Sequence, residues 1–482
     1  MKKTKFMKTT AFKLIAALLL SVFTLQPSAL LAQGSLTPSG PPAPTMKTLA
    51  QIEPRMPISS VPFTISVSGS YYATTNLTVS SGDAITIAVS GVTLDLGGWT
   101  ITSTAPSATG YGIQLSSGLH DLAIFNGHIA SGVTNNGSGV YDGSGFAYGI
   151  SYGGIAPVNT RVTGVSVLGC LVYGINLGYG NSTVVESCLA RTVGGSGINA
   201  STIKGSVAVD CGLYAIEGDQ VSDCRGEISG NGSGVFATTA NNCYGSCTIA
   251  GTTGVYARNA NNCSGVCSSS GYGVLATGDA HNCYGSSVNG GDGVYAGANA
   301  LNCYGSSTGG GNGVYTTIAT GCYGNTTGGG DGVHATASAT SCYGGTGSGN
   351  GVYAAYLAQS CYGVSTGTGS GINVDTLLSP GHGSYGTALN CVGTSAGTGT
   401  GLRAVAANNC TGTSGSGTGL SASTATGCVG VSSGSGSIGL QAFSIAIGCI
   451  GNATSGGTGL TASIANSCVG TSFSVTSKYN MP

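Results

Sequence analysis

Cysteine keeps time along the second half of this chain. It stands at positions 224, 243, 263, 283, 303, 322, 342 and 361, then at 391, 410, 428, 449 and 468, with steps of 18 to 21 residues inside each run. A second marker, glycine followed by an aliphatic residue, holds the same beat. It runs from Gly234-Val235 to Gly371-Ile372 and again from Gly401-Leu402 to Gly459-Leu460. A fixed period near 20 describes a solenoid, in which each repeat is one coil that buries its apolar face only against its neighbours.

The coil is expected to be β. The chain holds 88 glycines, and each one inside a helix would cost about 1 kcal/mol. The apolar positions alternate instead. In Gly-Val-Tyr-Ala, Val and Ala point one way and Tyr the other; in Cys-Tyr-Gly, Cys and Gly share a face opposite Tyr. The expected fold is all-β, a parallel β-helix of about 20 coils of roughly 20 residues. Small apolar residues (Val, Ile, Leu, Ala and Cys) fill its narrow core.

The 18 cysteines are expected to form a mostly reduced ladder. One cysteine per coil at one position gives an in-register stack at a spacing of about 4.8 Å, poorly aimed for the disulfide torsion. Serine in such a position is expected to bury an unpaired hydroxyl. Cys247 and Cys267 are additional; bridging or metal binding is the alternative for this pair, but Cys-x3-Cys is not a strong zinc spacing and a structural role leads. The Asn residues that precede ladder cysteines, such as Asn262, Asn282 and Asn302, are expected to form an amide ladder at a turn.

Residues 1–32 read as a secretory signal, with five lysines before an apolar stretch and a small-residue cleavage site. A secreted, periplasmic or cell-surface location follows. Without that segment the chain has nine basic and 15 acidic residues, a net charge of −6. A mildly acidic surface without a basic cluster argues against nucleic acid as a partner, and no later stretch is apolar enough to span a membrane. The remaining plan is a Pro-rich spacer and cap at 33–62, with a short capping helix near 46–52. Irregular coils follow at 63–230, regular repeats at 231–475 with a lateral loop at 375–386, and a tail at 476–482.

The run Val92-Thr-Leu-Asp-Leu-Gly-Gly-Trp-Thr-Ile-Thr102, with Asn76-Leu-Thr-Val79 before it, resembles the opening coils of right-handed parallel β-helix proteins. These are the superfamily of pectate-lyase-like, carbohydrate-binding and sugar-hydrolase solenoids. The resemblance implies a right-handed coil of three short sheets. It implies polysaccharide as a partner, and Ca²⁺ or clustered carboxylates wherever such a protein is an enzyme.

Candidate chemistry is sparse. His382 lies in a Gly-His-Gly like that of polygalacturonases, without the Asp pair or Arg-x-Lys that accompanies it. Asp210, Glu217, Asp219, Asp223, Arg225 and Glu227 crowd into 18 positions of an otherwise weakly charged chain. Within that cluster Asp223, Arg225 and Glu227 are expected to share one outward strand face as catalytic candidates, while Glu217 and Asp219 are candidate metal ligands. Outward tyrosines form two rows. One contains Tyr284, Tyr304, Tyr323 and Tyr343, the candidate ligand-binding residues; the other runs through Tyr256, Tyr295, Tyr315 and Tyr353, with Phe236 and His334 in line. An exported, non-catalytic rod with a structural, adhesive or glycan-binding role is the expected function, self-association included. The alternative is a lyase or hydrolase of acidic polysaccharide.

Overall fold

A computed structural model describes residues 53–374 and 386–481. The signal segment, the expected helix at 46–52 and residues 375–385, with His382, lie outside the described residues. From Arg55 onward the chain forms one unit. No helix occurs among the described residues, and the strands build a parallel β-solenoid of about 20 turns. One antiparallel pair, Gly132–Asn135 with Tyr141–Ser144, projects as a hairpin.

Each regular coil contributes to three parallel sheets. The first sheet takes the Gly-Val-Tyr-Ala segment, with Val255 aligned to Val274 and Val294 to Val314. The second takes the next few residues, in which Ala240, Ala260, Ala280 and Ala300 align. The third takes Tyr-Gly-x-Ser, in which Gly285, Gly305 and Gly324 align. Strands run past both expected boundaries. Met56–Ile58, assigned to the cap, pairs with Gly69–Ala73 as part of the first coil. Phe473–Tyr479 pairs with Thr458–Asn466 and so takes most of the expected tail into the sheets.

The core is thin. Val235, Ala237, Ala240 and Cys243 are nearly or fully buried, and the same four positions are buried in the regular coils that follow, with Ile372 or Leu402 in place of Val and Thr316 or Val374 in place of the first Ala. Where the third sheet faces the first, backbones touch: a Cβ on Gly305 would overlap the carbonyl of Gly313. The two glycine markers in the sequence are therefore the two sides of one backbone contact, at which no side chain fits.

A left-handed residue turns each coil from the second sheet into the third. The position is held by Asn126, Gly164, Ser187, Gly205, Asp223 and Asn242 in turn, all with φ between 53° and 62°. It continues through Asn262, Asn282 and Asn302 to Asn480. Asn, Asp and Gly carry this conformation at the least cost. The amide ladder is present: Asn282 Nδ2 donates to Asn262 Oδ1 at 3.1 Å, and Asn302 Nδ2 to Asn282 Oδ1 at 3.4 Å.

The residue after this corner points inward, and there 14 of the 18 cysteines stand, all but Cys170, Cys211, Cys247 and Cys267. All 18 are free and buried. Most thiols after the corner donate to backbone carbonyls one coil earlier, Cys303 to Ala280 at 3.2 Å and Cys361 to Ala339 at 3.3 Å. Burial pushes the Cys170 thiol up to about 12. Serine is accommodated at a ladder position, contrary to the sequence expectation. Ser206 follows the corner residue Gly205, is fully buried, and donates to the carbonyl of Lys204 at 3.0 Å. Cys247 and Cys267 are also free, and they open a column that continues as Ser287 and Ser307. Those hydroxyls donate to the carbonyls of Gly271 and Gly291, so the two thiols occupy hydroxyl positions of the column. Among the described residues no group of three His, Cys, Asp or Glu side chains converges on a metal site.

Thiol titration of the denatured protein should therefore find all 18 cysteines free. Cys303→Ser should lower stability by only about 1 kcal/mol, because the carbonyl acceptors are already in place. A loss of about 3 kcal/mol or more in urea unfolding would show that the hydroxyl is unpaired after all.

Candidate functional site

The charged cluster of the sequence is one full turn of the solenoid, and the turn disperses it. Asp210 leaves toward the hairpin, where its Oδ1 accepts from Asn135 Nδ2 at 2.6 Å and from the Tyr141 hydroxyl at 3.0 Å. Burial pushes its carboxyl up, but hydrogen bonds from Asn135, Ser229, Thr192 and Tyr141 outweigh this and hold it below the usual range. Asp223 is not on a strand face beside Arg225. Its φ of 56° makes it a corner residue, and its Oδ1 accepts from Asn242 Nδ2 at 3.2 Å at the head of the amide ladder. Arg225 and Glu227 do share the outer face of the third sheet, in a direct ion pair. The Arg225 guanidinium also lies 5.3 Å from the centre of the Tyr244 ring. With each charge engaged by the other, this pair reads as a surface brace.

Glu217 and Asp219 lie elsewhere, on the outward face of the first sheet in the strand Ile216–Ser222. There Glu217 belongs to an in-register row of polar residues. Ser151 aligns with Asn176, Asn176 with Asn199, and Asn199 with Glu217. Ser151, Asn176 and Asn199 are buried although they face away from the core. A turn after Asn176 reaches along the same face: Gly180 N–H donates to Asp219 Oδ2 at 2.8 Å and Asn181 N–H to Ser201 Oγ at 2.9 Å.

The donors in this row diverge. Asn176 Nδ2 donates back to Ser151 Oγ at 3.2 Å, whereas Asn199 Nδ2 donates forward to Glu217 Oε2 at 2.9 Å. Two carbonyl oxygens are left between them. That of Asn176 accepts from Gly178 N–H at 3.3 Å; that of Asn199 is buried and has no partner. The carboxylate fixes the amide orientation, since Glu217 can only accept while ionised.

Aromatic rings flank the row. Tyr111 and Tyr148 stack at 4.4 Å and Tyr173 follows at 6.1 Å, but the next position in the column is Ser196. Tyr214 then follows, its carbonyl accepting from Gly197 N–H. Ser at 196 sets Tyr173 and Tyr214 two coils apart in the column, about 9.6 Å, and Ser196 itself is buried between them. The Ser196 hydroxyl meets Glu217 Oε2 at 3.4 Å. Burial raises both tyrosines, and the Glu217 charge raises them further. Beyond Tyr214 a cavity of about 520 Å³ continues along the face, lined by Phe236, Tyr256, Tyr272 and Leu275 among others. Burial also pushes the Glu217 carboxyl up, against the hydrogen bonds from Asn199 and Ser196.

The rows of tyrosines are real, but their geometry differs from a sugar platform. Tyr284, Tyr304, Tyr323 and Tyr343 stack on one another at 4.5 to 5.2 Å with interplanar angles of 3° to 10°. Each inner ring has both faces covered by its neighbours and offers solvent its edge and hydroxyl. In the other row His334 is held between Tyr315 and Tyr353, and its Nδ1 meets Asp331 Oδ2 at 2.7 Å. Sequence reasoning singled out Glu217 and Asp219 but missed Ser151, Asn176, Ser196 and Asn199. The signal was available: Gly149-Ile-Ser, Gly174-Ile-Asn and Gly197-Ile-Asn repeat the Gly-Val-Tyr marker with a polar residue in the outward place.

Compared with protein-family models, with curated proteins and with solved structures, the chain matches none.

A carboxyl raised by burial opposes folding once it ionises. Glu217→Gln should therefore stabilise the protein at neutral pH. The gain should shrink as pH falls through the raised value toward the ordinary glutamate pKa of about 4.3, below which both forms are neutral. Thermal melting of the two proteins at pH 4 and pH 7.5 checks this. An equal difference at both pH values would mean that the Glu217 environment does not disfavour its charge.

Proposed function

We propose that this is an exported, non-catalytic β-solenoid that binds neutral glycan on the first-sheet face at Tyr173, Asn199 and Tyr214. The observation that carries the reading is the buried, unpartnered carbonyl of Asn199 in a row of polar side chains bordered by aromatic rings. A buried acceptor without a partner costs about 1–3 kcal/mol, and a hydroxyl donated by a ligand would recover it. Apolar walls with a few convergent polar groups are the usual composition of a small-ligand site. Pyranose rings supply what fits: hydroxyls for Asn199 and Glu217, and C–H faces for Tyr173 and Tyr214.

The segments 148–152, 173–176, 196–200 and 214–219 that form this face contain Glu217 and Asp219 and no Lys or Arg. An acidic polysaccharide would meet like charge there without a counter-charge, so a neutral sugar fits better than a uronate. The resemblance of the opening coils to pectate-lyase-like solenoids supports the glycan class in general and adds no role for a particular residue.

An array of neutral and acidic oligosaccharides, followed by titration calorimetry on the best neutral hit, tests this. Asn199→Ala should weaken that complex about tenfold, equivalent to about 1.4 kcal/mol, while Tyr304→Ser should leave it unchanged. Absence of any glycan binding, or an Asn199→Ala protein that binds like the wild type, overturns the reading. Cleavage of the bound oligosaccharide by the wild type, lost in Glu217→Gln, would move the function to the lyase or hydrolase alternative.

A further inference from the structure

The outward face of the third sheet has a feature that glycan binding does not use. From the strand Tyr284–Ser287 onward its first outward position reads Tyr284, Tyr304, Tyr323, Tyr343 and Tyr362, all in register. The row then continues without a break as Val392, Thr411, Val429, Ile450 and Val469. Five tyrosines are followed by five residues that are aliphatic or, once, threonine. Tyr284 is 44% exposed, Tyr362 42%, Ile450 41% and Val469 55%. The next outward position on these strands is Ser, Asn, Gly, Val or Thr, so no charge interrupts the face from Tyr284 to Gly470.

Ten strands at about 4.8 Å and four residues at about 3.3 Å give this face a footprint of about 43 by 13 Å, or about 560 Å². About half of its outward positions are aromatic or aliphatic, gathered in one unbroken row, and an exposed patch of this size is at the upper end of what a monomer carries and is often functional. Two such faces in contact would bury about 1,100 Å², which reaches the range of a specific interface.

We infer that this face is the interface of a two-fold dimer of the chain, in which the tyrosine half of one copy packs on the aliphatic half of the other. The order of the row makes the face self-complementary. A two-fold axis between Tyr362 and Val392, with the two solenoids antiparallel, sets Tyr362 opposite Val392 of the second copy. It also sets Tyr323 opposite Val429 and Tyr284 opposite Val469. The coil spacing is the same in both copies, so all five pairs come into register together, and the symmetry makes each pair occur twice. The tyrosine edges that stacking leaves exposed meet aliphatic side chains and bury apolar area against them, and neither copy brings a charge that would repel the other.

Sedimentation of the full chain over a concentration series up to about 100 µM, which detects moderate affinities, should show a monomer–dimer equilibrium. Tyr323→Lys alone and Val429→Glu alone should each weaken the dimer on the order of 100-fold, because each buries an unpaired charge. The two together should restore it, since 323 and 429 face each other twice across the axis. Tyr295→Lys, on the first sheet, serves as the control and should leave the dimer unchanged. Thermal melting of each variant confirms that it is folded, and Tyr323→Ser with Val429→Ser replaces any that is not; there the expected result is a weakened dimer without rescue. A monomeric wild type overturns the inference. So does a dimer indifferent to both single changes, a double variant that stays monomeric, or a wild type that assembles into open chains.

Discussion

The corner before each ladder position governs this solenoid. In every coil from Asn126 to Asn480 one residue takes a left-handed conformation, which costs an ordinary L-residue about 1–2 kcal/mol. That single dihedral turns the chain out of the second sheet and aims the next side chain into the core. Because the corner recurs at the same place in each coil, those next residues stack. The space is small and closed by backbone on two sides, so it selects Cys, Ser or a small aliphatic residue. The cysteine ladder is thus a consequence of the corner and of the thin core, and the amide ladder is the outer side of the same turn. Asn282 bonds to Asn262 outside while Cys283 donates to a carbonyl inside.

Such a geometry explains what the sequence reveals and what it hides. Period, alternation and the inward set of Val, Ala and Cys are all properties of one coil repeated, so they show in the letters. The glycine markers were legible as a beat, but their cause was not. Gly305 and Gly313 are eight residues apart, and their backbones meet only once the coil has closed. The charged run from Asp210 to Glu227 misled for the same reason. Eighteen positions are nearly one turn, so neighbours in sequence are spread over the corner and different sheets. Asp223 illustrates this. Alternation from Cys224 placed it beside Arg225, whereas its left-handed φ takes it out of the strand. A reading that counted coils rather than residues would have separated these charges, and it would have aligned Ser151, Asn176, Asn199 and Glu217.

Interruptions of a ladder, more than the ladder itself, are where binding chemistry can arise. Within an unbroken column each group satisfies the next. Tyr304 covers Tyr323, and Asn302 donates to Asn282. Ser196 breaks an aromatic column, and the opposed donors of Asn176 and Asn199 break a polar one one coil apart at most. The result is a gap of two coils in the aromatic column beside a buried acceptor without a partner. The same logic separates the two aromatic features of the molecule. Stacked rings keep their faces for one another and present edges, which suits a flat partner with the same repeat. A gap between rings presents faces, which suits a ring-shaped ligand. The repeat supplies the rigid frame for both, and the few coils that depart from it in the first half of the solenoid carry the proposed glycan site.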